Sequence, residues 1–240
     1  SLKEIIADAC CYGPYRSAVL IVEIMGRHAG WLTAAAALAD KVDLIYLPEV
    51  SFDPDDFIKR IKDLSKKQSS VIVAVSEGVK LADGRFVCEL QTGDAKKDAF
   101  GHTQLSGVGA YLAAMASDKA GVKARSIEFS TLQRCASHVV SRTDAEEAFN
   151  VGYLAAKKAF EGNTGEMVII KVDSRAPYVS SYSSFDIHEI ANVERKVPDE
   201  WITNDGTYVS DECVAYLRPL IMGEIDAYYS DGVPVHISLD

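Results

Sequence analysis

Three short segments of the 240-residue chain carry residue types suited to phosphates and hydroxyls. The first is Met25-Gly26-Arg27. A glycine between a strand and a helix lets a ligand approach the backbone, and a helix N-terminus favours anions. An arginine there adds a forked donor that matches phosphate or vicinal hydroxyls. The second is Ser76-Glu77-Gly78, whose carboxylate can accept hydrogen bonds from a polyol. The third runs from Arg125 through Thr131 to Arg134. Two arginines flanking one strand end can clamp a dianion, each charged hydrogen bond being worth about 1.5–3 kcal/mol. Each segment alone also fits a plainer role: a tight turn, a capping carboxylate, a pair of surface arginines.

The elements that must position these segments follow from hydrophobic patterning. Apolar runs of strand length at residues 18–25, 42–47, 70–75, 123–129 and 166–172 alternate with helix-like stretches at 28–39, 53–66, 105–120 and 143–160. Asp53 or Asp55 is placed to cap the second helix, and Asp83-Gly84 reads as a turn. Mostly apolar strands separated by helices predict an α/β fold, a three-layer sandwich around a mostly parallel sheet. Right-handed crossovers put all strand C-terminal ends on one edge, where ligands bind. All three segments lie at such ends. The pattern changes after residue 172. A serine-rich stretch, a short helix over 187–197, an Asn204-Asp205-Gly206 turn and a helix over 210–221 follow. Residues 1–172 are therefore read as the α/β domain and 173–240 as its C-terminal extension.

Composition narrows the function classes. Twenty-five Lys and Arg against thirty-five Asp and Glu give a net charge of −10, which argues against nucleic acid or an anionic membrane as the partner. No apolar run reaches the ~20 residues that span a bilayer, and Glu4 and Asp8 interrupt any signal-peptide pattern. The five cysteines are odd in number and lack C-x-x-C spacing; they read as reduced, partly buried thiols of a cytoplasmic protein. Gly107-Val108-Gly109 has no strand before it and reads as a packing feature, not a dinucleotide loop. The five histidines have no zinc spacing, so no metal site is assigned, and Trp31 and Trp201 read as packing residues.

Taken in order, VEIMGRHAGWL (22–32), VAVSEG (73–78) and Arg125 followed by Leu132-Gln133-Arg134 resemble the phosphofructokinase family. The resemblance runs from Ser1 to about Val172. The ending, ANVERKVPDEW (191–201) and YLRPLI (216–221), is similar to the pyrophosphate-dependent branch. The resemblance implies transfer of a phosphoryl group from pyrophosphate, or alternatively ATP, to O1 of fructose 6-phosphate. Another alternative is a non-catalytic sugar-phosphate-binding regulatory module. It implies that Met25, Gly26 and Arg27 contact the sugar phosphate, with Arg27 near the transferring group. It further implies that Glu77 holds sugar hydroxyls and Arg134 the 6-phosphate. Arg125 would reach across a subunit interface, making the parent a homo-oligomer. Thr131 stands where many relatives have a histidine, and Ala18 where another cross-subunit arginine is usual, with Arg16 two residues away. The family's G-G-D and T-(I/V)-D-N-D segments, which serve the donor, Mg2+ and the general base, do not occur here. The chain is therefore expected to be the C-terminal portion of a longer enzyme and inactive alone. Residues 137–160 would then lack a packing partner and expose apolar surface.

Overall fold

Runs such as VLIVEI and VIVAVS are apolar on both faces of a strand, so they demand cover on both sides. A computed structural model describes residues 1–12, 19–92 and 105–236 and shows that cover. In chain order, the elements that matter are helix α1 (Leu2–Tyr12), strand β1 (Val19–Ile24), a single helical turn α2 (Trp31–Ala34) and strand β2 (Leu44–Tyr46). Helix α3 (Pro54–Lys67), strand β3 (Val71–Ser76), the turn α4 (Glu89–Thr92), helix α5 (Val108–Ala120) and strand β4 (Ala124–Glu128) follow. Then come the short helix α6 (Leu132–Cys135), helix α7 (Arg142–Phe160), and strands β5 (Glu166–Arg175), β6 (Tyr178–Asp186), β7 (Ile202–Thr203) and β8 (Tyr208–Val209).

The chain divides into two compact units. The first comprises Ser1–Gln133 and Arg195–Val214, the second Arg134–Glu194 and Ala215–Asp240. The expected boundary at 172/173 differs from this division: it falls inside β5, which pairs along its length with β6.

The first unit holds a four-stranded parallel sheet in the order β2-β3-β1-β4. On one face Val19, Ile21, Val71, Val73 and Val75 pack with Phe57 and Ile61 of α3 and Leu112 and Met115 of α5. Alternation sends Leu20, Val22, Ile72 and Ala74 to the other face, where α2 packs on β2 and β3. Helices on both faces make the three expected layers. The register places Ile24 beside Ser76 and Glu23 beside Glu128, so the ends of β3, β1 and β4 are level.

Local chemistry explains the element bounds. Asp53 caps α3, accepting from the N–H groups of Asp55 (2.8 Å) and Asp56 (3.3 Å), and Pro54 opens the first turn. Asp53→Ala is expected to lower stability by about 1 kcal/mol, read from the urea midpoint. Strand β2 is shorter than expected because the Asp43 carboxylate takes the Ile72 N–H at 2.7 Å. The alanine-rich stretch forms only α2 and a 3-10 turn, Ala35–Ala39, and ends where Asp40 and Lys41 adopt positive φ.

In the second unit, Ser141 caps α7 and accepts from the Asp144 N–H. Strands β5 and β6 form an antiparallel hairpin, which corrects the reading of β5 as a fifth strand of the parallel sheet. The serine-rich stretch is β6 itself. Its Tyr178 and Tyr182 hydrogen-bond Glu147 (2.7 Å) and Asn150 (3.3 Å) of α7. The helix expected over 187–197 is a single turn, Ile187–Ile190. Phe149 (72%) and Phe160 (94%) of α7 are exposed. All five cysteines are free thiols; Cys88 and Cys213 are buried, whereas Cys10, Cys11 and Cys135 are exposed.

Candidate functional site

Three strand exits meet at the level edge of the first unit. Where β1 ends, Gly26 turns sharply at φ +154°. Its N–H donates to Glu77 Oε1 at 3.2 Å, and its carbonyl accepts from Ser76 Oγ (2.5 Å) and from the Gly78 N–H (3.0 Å). The exit of β3 therefore grips the exit of β1 at three points. The Glu77 N–H completes the join by donating to the Ile24 carbonyl at 2.9 Å.

Gly78 is the tightest point. A Cβ there would lie 2.0 Å from the Arg27 carbonyl oxygen and 2.4 Å from that of Gly26. Only a residue without a side chain lets the two backbones come this close. The turn carrying Arg27 is thus pressed onto the turn carrying Glu77.

The exit of β4 joins through Gln133. Its Oε1 accepts from the Met25 N–H at 3.2 Å, while Ser130, at φ +44°, sharpens the turn into α6. Met25, Gly26, Arg27 and Glu77 are all half-buried and share this edge. Glu77 Oε1 is held by the Gly26 N–H, which fixes the carboxylate at this edge.

The remaining predicted residues are placed differently. Thr131 is exposed in the turn before α6. Arg134 is exposed and begins the second unit. Arg125 lies within β4 opposite Leu20, three residues before the strand ends, about 10 Å upstream of the edge. It lies inside the strand, as expected, and is exposed there on an edge strand of the sheet. Arg16 and Ala18 lie outside the described residues.

Sequence reasoning missed several supporting groups. Glu23, noted only as a break in an apolar run, is 3% exposed in β1. Its carboxylate accepts from the N–H groups of Gly109 (2.7 Å) and Gly107 (3.2 Å) at the start of α5. Burial pushes its pKa up to about 7; those amides oppose the shift, while Glu128 and Glu77 add to it. Gly107-Val108-Gly109 is thus a packing feature with a specific guest. Glu49, also unforeseen, accepts from the Gly30 N–H at 2.8 Å and the Val197 N–H at 3.0 Å through Oε1. Among the described residues, no group of three or more His, Cys, Asp or Glu side chains is placed to hold a metal ion. No described helix is long and apolar enough to cross a membrane.

The phosphofructokinase family model matches residues 8–128, which contain the β1 and β3 exits. The chain belongs to the phosphofructokinase family. Among similar curated phosphofructokinases is the pyrophosphate--fructose 6-phosphate 1-phosphotransferase of Methylococcus capsulatus, 36% identical over all of this chain and 57% of the relative. The enzyme of the same name from Xanthomonas campestris is 38% identical over all of this chain and 58% of the relative. The crystal structure of the pyrophosphate-dependent phosphofructokinase of Marinobacter aquaeolei superposes with a TM-score of 0.82 at 31% identity, covering 98% of this chain and 55% of that one. The chain therefore spans a little more than half the length of these phosphofructokinases.

Proposed function

We propose that this chain supplies the fructose 6-phosphate side of a pyrophosphate-dependent phosphofructokinase. The observation that carries the reading is Glu77, whose carboxylate is locked at the strand-end edge by the Gly26 N–H through Oε1. A carboxylate held this way is oriented before any ligand arrives, which removes an ordering cost on binding. The names of the relatives fit this chemistry.

In this reading Glu77 Oε2 accepts hydrogen bonds from sugar hydroxyls, and the backbone of Met25 and Gly26 lines the sugar. Arg27 offsets the charge that spreads over the transferred phosphoryl group. Thr131 and Arg134 serve the 6-phosphate. Arg125, on the outer flank of β4, serves the substrate of a neighbouring subunit in a homo-oligomer. The reaction moves a phosphoryl group from pyrophosphate to O1 of the sugar, giving fructose 1,6-bisphosphate and orthophosphate, and the hydroxyl proton passes to a base. Neither that base nor the pyrophosphate site is assigned to a residue of this chain. Mg2+ belongs with the donor. The described carboxylates do not converge to hold it, so no step here runs through it.

Calorimetric titration of fructose 6-phosphate into the chain tests this reading. Glu77→Gln is expected to weaken binding about 10- to 100-fold, the equivalent of one charged hydrogen bond, and Arg134→Ala to do the same or more. A folded chain that binds nothing, or an affinity indifferent to both substitutions, overturns it.

A further inference from the structure

The 26–30 turn is anchored at both ends, by a different carboxylate at each. Glu77 holds Gly26, as described. Glu49 holds Gly30, and the same oxygen takes the N–H of Val197, which arrives from far along the chain. The returning segment makes a second attachment next door: the Trp31 indole N–H donates to the Arg195 carbonyl at 2.7 Å. The Trp31 and Trp201 rings meet edge to face, with centroids 6.2 Å apart. Val197, 1% exposed, closes the joint.

The fit around Glu49 leaves no slack. A Cβ on Gly30 would lie 2.8 Å from Glu49 Oε2, 2.8 Å from Leu47 Cδ2 and 2.9 Å from Pro48 Cδ. Glu49 Oε2 itself is buried without a hydrogen-bond partner among the described residues. Burying a carboxylate oxygen unpaired is unfavourable, and such an exception calls for an explanation. An apolar residue here would leave the Gly30 and Val197 N–H groups without their acceptor. A carboxylate instead brings two backbone donors, one from the turn and one from the returning segment, to a single point.

The geometry points to Glu49 as a positioning residue for the turn that carries Arg27, with residues 195–201 as the counterpart that holds it in place. The inference rests on the reading of that turn as facing fructose 6-phosphate. Glu77 fixes Gly26 alone; without Glu49 the Gly30 N–H is released and the turn pivots about Gly26. Displacing a phosphate-facing arginine by about 1 Å costs on the order of 100-fold in productive geometry.

The test uses the whole chain with Glu49→Ala, Glu49→Gln and, as a stability match, the core substitution Ile61→Val. Amide hydrogen exchange at residues 26–31 and 197 is read beside calorimetric affinity for fructose 6-phosphate. Glu49→Ala is expected to speed exchange at Gly30 and Val197 and to weaken binding, each at least about tenfold. Glu49→Gln, which keeps an oxygen facing both N–H groups, is expected to restore most of both. Ile61→Val is expected to lower the unfolding midpoint and move neither readout. If exchange at Gly30 is no faster in Glu49→Ala than in Ile61→Val, or if it is faster while affinity is unchanged, the assignment is overturned. A wild-type chain that does not bind the sugar phosphate sinks the proposed function, and exchange alone then decides whether Glu49 holds the turn.

Discussion

Gly78→Ala is expected to abolish fructose 6-phosphate binding and to lower stability by about 3 kcal/mol or more. The added methyl would meet backbone: the Arg27 carbonyl oxygen at 2.0 Å, the Gly26 carbonyl oxygen at 2.4 Å and the Arg27 carbonyl carbon at 2.5 Å. No side-chain rotation relieves such a clash. The exits of β1 and β3 must part, and parting breaks the Gly78 N–H to Gly26 carbonyl bond and disturbs the Glu77 hold on Gly26. Gly84→Ala separates the two effects. Gly84 has nothing within 4 Å of its would-be Cβ but sits at φ +86°. That substitution is expected to cost on the order of 1 kcal/mol through backbone conformation and leave binding intact. Urea midpoints and calorimetry on both variants check the pair; a Gly78→Ala chain that binds normally would show that the close approach does not shape the site.

The second large effect is a pH dependence centred on Glu23. Its pKa rises from an ordinary 4.5 to about 7 on folding, chiefly through burial. The folded chain therefore holds a proton that the unfolded chain has already released between those two values. Stability from this group is full below about pH 4.5 and is lost as pH climbs through 7, by about 3 kcal/mol in all. Glu23→Gln imitates the protonated form and cannot ionise. Its amide oxygen can keep the Gly109 N–H, whereas its NH2 group faces the Gly107 N–H at a cost of about 1 kcal/mol. The variant should be the less stable protein at pH 5 and the more stable one at pH 8, with the curves crossing in between. Denaturant unfolding across that range reads the crossing. Parallel curves would mean that Glu23 ionises in the folded chain as readily as in water.

The sheet was legible in the sequence because β1 and β3 are buried on both faces, and buried parallel strands are written as unbroken apolar runs. The strand-end rule likewise points to the edge where Gly26 and Glu77 meet at the exits of β1 and β3. Partnership was harder to read. Strand β5 shows an apolar run as β1 does, yet its neighbour is β6, whose serines and tyrosines suit an exposed hairpin. Arg125 was placed inside β4 by count, but the residue it faces is set by register, which pairs it with Leu20. Glu23 and Glu49 were invisible for a common reason. Each owes its role to backbone N–H groups that the chain brings from elsewhere, and backbone donors carry no residue signature.

The interrupted course of the first unit has a temporal consequence. The outer edge of β2 is completed by residues near its end: the Thr207 carbonyl accepts the Ile45 N–H at 2.8 Å, and Val197 closes on Glu49. Both belong to the Arg195–Val214 stretch, which a ribosome delivers only after it has made all of Arg134–Glu194. Until then a nascent sheet carries an open strand edge and an unheld 26–30 turn, the kind of edge that recruits other chains. Translation that stops before residue 195 should therefore yield a more aggregation-prone product, while release after Val214 leaves the β2 edge covered. The 26–30 turn is among the last parts of its unit to be secured, because Val197 reaches Glu49 only after the four strands of the sheet have been made.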